Sequence, residues 1–497
     1  MAGSELHRAR WLGVDVGTTA AKAIAFDEHG AALASGSAGY GTTRPRLDHV
    51  EQRGEDWVDA VDTGVAEIAA EIDLAEVRAI GITSQVDTHL AVDDDLRPLR
   101  PAILWQDLRC TAEVRELNDG LGGPGSTGLP VDASSPVPRA VWLARYEPEV
   151  WAATRWLLLP KDYVNARLTG AVAADPHGSF KVVGVGGRYL PGLDAVAGLA
   201  GRLAPLNPAD RAVGATRRDW HGIAAGTTVA TATMDAIGNV LGSGLQQPGD
   251  TMVVIGTSLI VGALDGGGTG APGVVGFAPF CGRCIHAGPT QSGGDTLRWW
   301  AAATGHTVEE VLDAAARAEP GATGVVHAPH LMGERAPLWD SEVRGWFTGL
   351  HPGAGFPELC RAVLEGVAFS ARELVDSVEE AAGTAITELR VSGGGSRSEL
   401  WCGILADATG RVVRRSGEPD TAVVGAGALA VAAHTGADPW VQGAELARWD
   451  LECRPNPGRA ELLGDRYAVY RQAYGLLTPM HRDVARPRDR TADPGNR

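Results

Sequence analysis

The chain predicts a two-domain α/β protein in which the second domain repeats the plan of the first. Three observations carry this reading. An apolar strand around Leu12-Gly13-Val14-Asp15-Val16 runs into Gly17-Thr18-Thr19, then into a second apolar strand through Lys22 and Ile24. Met252–Ile255 runs into Gly256-Thr257-Ser258 and then into Leu259–Leu264, in the same order. Ala79–Ile82 leads into Thr83-Ser84-Gln85, much as Leu389–Val391 leads into Ser392-Gly393-Gly394-Gly395. Two similar domains with a cleft between them follow, residues 1–245 and 246–482. The stretch 483–497, rich in Arg, Asp and Pro, reads as a disordered tail, and residues 1–9 as a frayed end.

Bulk properties narrow the function. Of 497 residues 44% are apolar and 21% charged, as in an ordinary soluble enzyme. The net charge of −17 argues against nucleic acid or an anionic membrane as partner. No leader and no bilayer-length apolar run is evident, so the cytoplasm is the expected location. Six cysteines are scattered apart from Cys281 and Cys284, and no second C-x-x-C completes a zinc ribbon. Lys22, Lys161 and Lys181 are the only lysines among 44 basic residues.

Element by element, the Trp11–Ala25 region and Ala31–Gly36 read as hairpin strands around Asp27-Glu28-His29-Gly30. A third strand is expected near Gly39–Thr42. Trp57, Val58, Val61, Val65 and Ile68 fall at helical spacing over 55–72. Strands follow at Val77–Thr83, His89–Val92 and Pro98–Trp105, and helices at 137–146 and 161–168. In the second half, helices are expected at Glu399–Thr409 and Pro357–Val375.

Several constellations suggest chemistry. The Gly17-Thr18-Thr19 turn offers N–H groups and hydroxyls to an anion, and Asp15 suits a hydrated divalent cation beside it. Thr228–Ala232 ends at Asp235, which is placed either to cap a helix or to take a proton from a substrate hydroxyl. Ile103-Leu104-Trp105-Gln106-Asp107 presents an indole that either packs in the core or stacks on a sugar. Gly393-Gly394-Gly395 is either a flexible turn or a bare surface for a nucleoside.

Taken in this order, the pieces resemble the FGGY family of carbohydrate kinases over residues 10–440. The segment Gly345-Trp346-Phe347-Thr348-Gly349-Leu350 through Glu358-Leu359 to Ala362-Val363-Leu364-Glu365 follows that family's C-terminal signature. Pro160-Lys161-Asp162-Tyr163 and Gly333-Glu334-Arg335-Ala336-Pro337 also match family segments. The resemblance implies ribonuclease H-like domains of the actin-like ATPase fold. It implies ATP and Mg²⁺, with Asp15 near the metal. Gly17, Thr18, Thr19, Lys22, Gly256, Thr257 and Ser258 would serve the phosphates, and Gly393, Gly394 and Gly395 the adenosine. Asp235 would be the general base for transfer to a small sugar or polyol, with domain closure excluding water. A homodimer is compatible with it.

The loop Ser84-Gln85-Val86-Asp87-Thr88-His89 speaks to the substrate. Val86 stands where glycerol-specific members carry arginine. Xylulokinases tend to show Gln-Met-His, and here Asp87 replaces the histidine. They also tend to carry Asn after the catalytic aspartate, where Ala236 stands. Gln85, Val86, Asp87, Trp105 and Asp235 are therefore expected to line a site for a ketopentose or a related ketose or polyol. Tetruloses, erythritol, deoxyketoses and sugar acids are alternatives. A sugar acid would require a basic residue, for which only Arg109 and Lys181 remain open. A non-catalytic nucleotide-binding regulator is the contrasting reading, disfavoured by the presence of both Asp15 and Asp235.

Overall fold

The computed structural model describes residues 8–120, 131–184 and 186–485. It divides into two compact units. One comprises Met1–Gln246, Phe277–Cys284 and Asp420–Arg448, and the other Gln247–Gly276, Ile285–Pro419 and Trp449–Arg497. Residues 277–284 and 420–448, assigned by sequence to the second domain, thus group with the first unit. At the C-terminus a helix runs Pro457–Ala485, and 486–497 lie outside the described residues, as do 1–7.

The first unit is built on a six-stranded sheet. Trp11–Val16, Ala20–Phe26 and Ala32–Gly39 form an antiparallel meander, and Ala79–Ser84 lies parallel to the first of them. Thr228–Ala230 continues the parallel run and Ala212–Ala215 closes it antiparallel. The third strand ends at Gly39 rather than covering 39–42, where the Gly39-Tyr40-Gly41 stretch leaves the sheet. The amphipathic helix Gly54–Glu71 buries Trp57, Val61, Val65 and Ile68 against one sheet face.

A helix from far along the chain, Thr421–Thr435, covers the other face. Nearly every side chain on it is buried, which its largely apolar, small-residue composition allows. It sits so close that a Cβ on Gly81 would lie 1.9 Å from the Ala426 carbonyl oxygen, and one on Gly13 would lie 2.2 Å from that of Val423. Those two strand positions therefore require glycine. Val423, Val424, Ala428 and Val431 then pack onto Trp11, Ile24, Phe26 and Ala79.

The second unit repeats the plan. Thr251–Ile255 is antiparallel to Leu259–Leu264 and parallel to Glu388–Ser392, which is parallel to Val412–Ser416. Registers make the repeat concrete: Asp15 pairs with Lys22 and Thr83, whereas Val254 pairs with Ile260 and Ser392. An acid–base pair in one unit is matched by an apolar pair in the other. The helix Phe356–Ala382 runs through the core, longer than the expected 357–375. Within the signature segment Glu365 is buried, accepting from the Gly321 N–H at 2.9 Å and from Arg361 at 2.8 Å, so that segment is structural. The six cysteines are free thiols. No helix among the described residues is long and apolar enough to cross a membrane.

Candidate active site

Three parallel strands of the first unit end side by side, and their carboxyl ends carry the candidate residues. Asp15 is in register with Thr83, and Ser84 bridges to Met234, so the 85–87 loop and Asp235 leave the sheet next to one another. Such strand ends are the usual ligand position in open α/β sheets. Asp235 is the first residue of the helix Asp235–Gly242; its predecessor Met234 is the N-cap. It is therefore not the capping residue, the alternative left open by sequence. Its Oδ1 accepts from the Ala236 N–H at 2.7 Å, and the positive end of the helix favours its charge. Asp15 Oδ1 accepts from Thr83 Oγ1 at 2.9 Å.

Both carboxylates are half-buried and neither forms an ion pair among the described residues. Burial, then the negative charge of Asp15 and that of Asp87, push Asp235 up to about 8. Burial and Asp420 raise Asp15 to about 6, against the Thr83 hydrogen bond and Lys22. Two buried carboxyl groups whose ionisation is held back invite a cation. No group of three or more metal-ligating side chains occurs among the described residues. The donor set suits Mg²⁺, which keeps waters and phosphate oxygens alongside one or two carboxylates.

The turn after Asp15 is tightly held. Gly17 N–H donates to the Ala20 carbonyl at 3.0 Å, the Tyr40 hydroxyl donates to the Gly17 carbonyl, and Gln52 donates to that of Thr18 at 2.7 Å. Thr19 is exposed. Trp105, half-buried, donates from its indole to Thr18 Oγ1 at 3.3 Å, which joins the expected sugar-side and phosphate-side residues. Lys22 is ion-paired with Asp420. Gln85 lies behind the loop rather than on it. It is 1% exposed, donates to Gln52 at 3.1 Å and accepts from Thr88 at 3.2 Å. Val86 is half-buried, and Asp87 takes a left-handed conformation (φ 57°).

In the second unit the Gly256-Thr257-Ser258 turn is clasped by the start of the helix Gly294–Thr304. Gly294 N–H donates to the Gly256 carbonyl at 2.8 Å and Asp295 N–H to that of Thr257 at 3.1 Å. Arg298, which drew no notice in the sequence, donates to Thr257 Oγ1 at 3.1 Å. Of the three consecutive glycines, two are packing residues. A Cβ on Gly393 would lie 2.7 Å from the Ile255 carbonyl oxygen, and one on Gly395 would lie 2.4 Å from Ile255 Cγ2. Gly394 meets nothing within 4 Å and offers the bare surface. A short turn, Gly394–Arg397, separates this run from the helix Glu399–Thr409, whose cap is Ser398.

The two unexplained family segments prove to be buttresses. Lys161 is wholly buried, 2.6 Å from Asp162 and 2.9 Å from Asp175. Asp175 also accepts from Thr233 Oγ1 at 2.8 Å, two residues before Asp235. Glu334 accepts from His330 at 2.9 Å and from Ser292 at 2.7 Å, fixing the bend that precedes Gly294. Sequence spacing could not reveal how either cluster ties to the site, because the joining partners, Thr233 to Asp175 and Ser292 to Glu334, are dozens of residues apart.

Two α/β units of common topology, both with glycine turns at their strand ends and the first with acids there, fit the actin-like ATPase fold. Residues 10–180 match the N-terminal domain of the FGGY family of carbohydrate kinases, and 252–434 match its C-terminal domain. A xylulose kinase of Klebsiella pneumoniae is 31% identical over 86% of this chain and 91% of its own. A gluconokinase of Bacillus subtilis (strain 168) is 28% identical over 80% of this chain and 82% of its own. The solved xylulose kinase of Rhodospirillum rubrum superposes with a TM-score of 0.83 at 27% identity, covering 95% of this chain and 99% of that one. The chain belongs to the FGGY family of carbohydrate kinases, and it is an ATP-dependent sugar kinase.

Proposed function

We propose that this kinase phosphorylates a hydroxyl of a small uncharged ketose or polyol, with a ketopentose as the first candidate and Asp235 as general base. The observation that carries the proposal is the position of Asp235. It stands at a strand end beside Asp15 and the 85–87 loop, in surroundings that strengthen it as a proton acceptor. Asp87 and Trp105 contact the sugar, with Val86 on the same loop, and Gln85 supports the loop from behind. Gly17, Thr18 and Thr19 serve the phosphates with Gly256, Thr257 and Ser258. Lys22 joins them on exchanging Asp420 for a phosphate, and Gly394 takes the adenosine while Gly393 and Gly395 shape its turn. Mg²⁺ beside Asp15 would supply charge neutralisation to the triphosphate. The protein's own part is to orient the hydroxyl and remove its proton. The names of relatives divide between xylulose and gluconate; the acidic 84–89 loop favours the neutral class.

The test is ATP consumption against xylulose, ribulose, erythrulose, fuculose, erythritol, arabitol, gluconate and glycerol. A neutral ketose or polyol other than glycerol is expected to give the highest kcat/KM. Preference for glycerol overturns the reading of Val86.

The pH profile supplies a second check. Asp235 must be ionised to accept a proton, and its carboxyl is raised from 3.8 to about 8 in the ligand-free protein. The kcat/KM for the sugar at low Mg²⁺ is expected to fall about tenfold per pH unit below that midpoint. Raising Mg²⁺ should shift the midpoint downward, because a nearby cation favours the ionised form. A profile flat between about pH 6 and 8 at low Mg²⁺ would show that the carboxyl of Asp235 is not held above the ordinary range during turnover.

A further inference from the structure

Lys181 has unusual surroundings. Its ammonium group lies 2.9 Å from Asp87 Oδ2, and 2.9 and 3.0 Å from the two oxygens of Asp132. It also donates to Ser134 Oγ, whose single proton is within reach of Asp132 Oδ1 at 2.7 Å and of Asp87 Oδ2 at 3.1 Å. The side chain is only 16% exposed. With Asp87, His89, Asp162 and Tyr189 it lines a cavity of about 20 Å³, room for one water. Among the described residues both side-chain contacts on Asp87 fall on Oδ2, and Oδ1 is the oxygen open to a ligand. The loop is held rigidly from below: Arg139, fully buried, donates to the Asp87 carbonyl and to those of Ile103, Leu104 and Ala133.

The charges around this point are unequal. Asp15, Asp87, Asp132 and Asp235 bring four carboxyl groups, against two cations, Lys181 and the buried Arg139 beneath the loop. Arg109, the other basic residue left open by the sequence, is bound to Asp107 at 2.7 Å and to Glu51 at 2.8 Å. His89 is buried, and burial, Arg139 and Lys181 keep it neutral. Arg139 spends its guanidinium on carbonyls and on His89.

We propose that the Asp87–Lys181–Asp132 clamp sets the substrate specificity of the sugar site, selecting uncharged ketoses and polyols over sugar acids. The proposal rests on the reading of the Asp235 region as the sugar site. A sugar carboxylate needs a cation whose charge is not already answered, and Lys181 is answered twice. An incoming carboxylate would add a further negative charge to a site already in excess. A hydroxyl instead donates to Asp87 Oδ1, an interaction that the lysine leaves intact and orients. Taking away the outer partner, Asp132, leaves Lys181 with one carboxylate and makes it a receptor for a ligand anion.

The experiment measures kcat/KM for xylulose and for gluconate with the full-length wild type, Asp132→Asn, Lys181→Gln and the double variant. Asp132→Asn is expected to raise the gluconate-to-xylulose ratio at least tenfold. The double variant should return the ratio to that of Lys181→Gln alone, because no cation remains to receive the acid. Lys181→Gln should raise the KM for xylulose with a smaller effect on kcat, since it disorders Asp87 and leaves Asp235 in place. An unchanged ratio in Asp132→Asn, or a wild type that prefers gluconate, overturns the proposal. Should Asp132→Asn melt at a much lower temperature, Asp132→Ser serves in its place with the same expected ratio. Failure of the Asp235 reading would look different: Asp235→Asn would retain turnover on either sugar, whatever the ratio.

Discussion

Asp235→Asn is expected to cut phosphoryl transfer by about 10²–10⁴-fold while leaving ATP binding close to wild type. The amide keeps the size of the side chain but cannot take the proton of the attacking hydroxyl. Single-turnover transfer measured beside ATP affinity checks this, and turnover near the wild-type rate would remove Asp235 from the reaction. The same substitution should stabilise the ligand-free protein. A carboxyl raised from 3.8 to about 8 on folding contributes stability that is fully present at low pH and lost as pH rises through the folded value. Above pH 8 the wild type therefore carries a buried charge at Asp235 and its repulsion with Asp15, and the amide does not. A gain of a few degrees in Tm at pH 8.5, vanishing near pH 4, is the expected signature. Activity lost and stability gained at one residue is the trade expected where a site is arranged for chemistry rather than for folding.

Gly81→Ala is expected to be among the most damaging single-methyl changes in the first unit. The added Cβ would sit 1.9 Å from the Ala426 carbonyl oxygen, on a helix that must remain in place to cover the sheet. Neither strand nor helix backbone can yield locally, because Gly13 on the neighbouring strand is also close, at 2.2 Å, to the Val423 carbonyl oxygen on the same helix. A loss of about 4 kcal/mol or more is expected, a large share of a typical domain's stability. Thermal or urea unfolding measures it. Gly394→Ala is the control. Its Cβ meets nothing within 4 Å, so stability should change by less than about 0.5 kcal/mol while the KM for ATP rises. Equal destabilisation by the two changes would refute the packing account of Gly81.

Much of the local structure was legible in the sequence because it is set locally. The strand Leu259–Leu264 and the helix Glu399–Thr409 fall where apolar periodicity placed them, and the Gly-Thr-Thr and Gly-Thr-Ser turns follow strands as read. The repeat was legible for the same reason: each copy consists of strand, turn and strand in contiguous order. Asp15 and Asp235 stood out as acids at the ends of apolar runs. The C-terminal return was not legible. Nothing in the composition of Thr421–Thr435 says which sheet it will cover, since a helix apolar on all sides suits any buried position.

What the sequence by itself determined, then, is the α/β plan, its duplication and the small set of acids and glycines at strand ends. These depend on periodicity and on residue type, which a linear string carries. Only the tertiary structure decided that Gln85 faces inward and that two of three consecutive glycines are there for Ile255. It alone decided that Lys181 is held between Asp87 and Asp132. Each of these is a matter of which distant groups meet in space, and in a buried site the charge and hydrogen-bonding capacity left for a ligand are whatever those meetings do not consume.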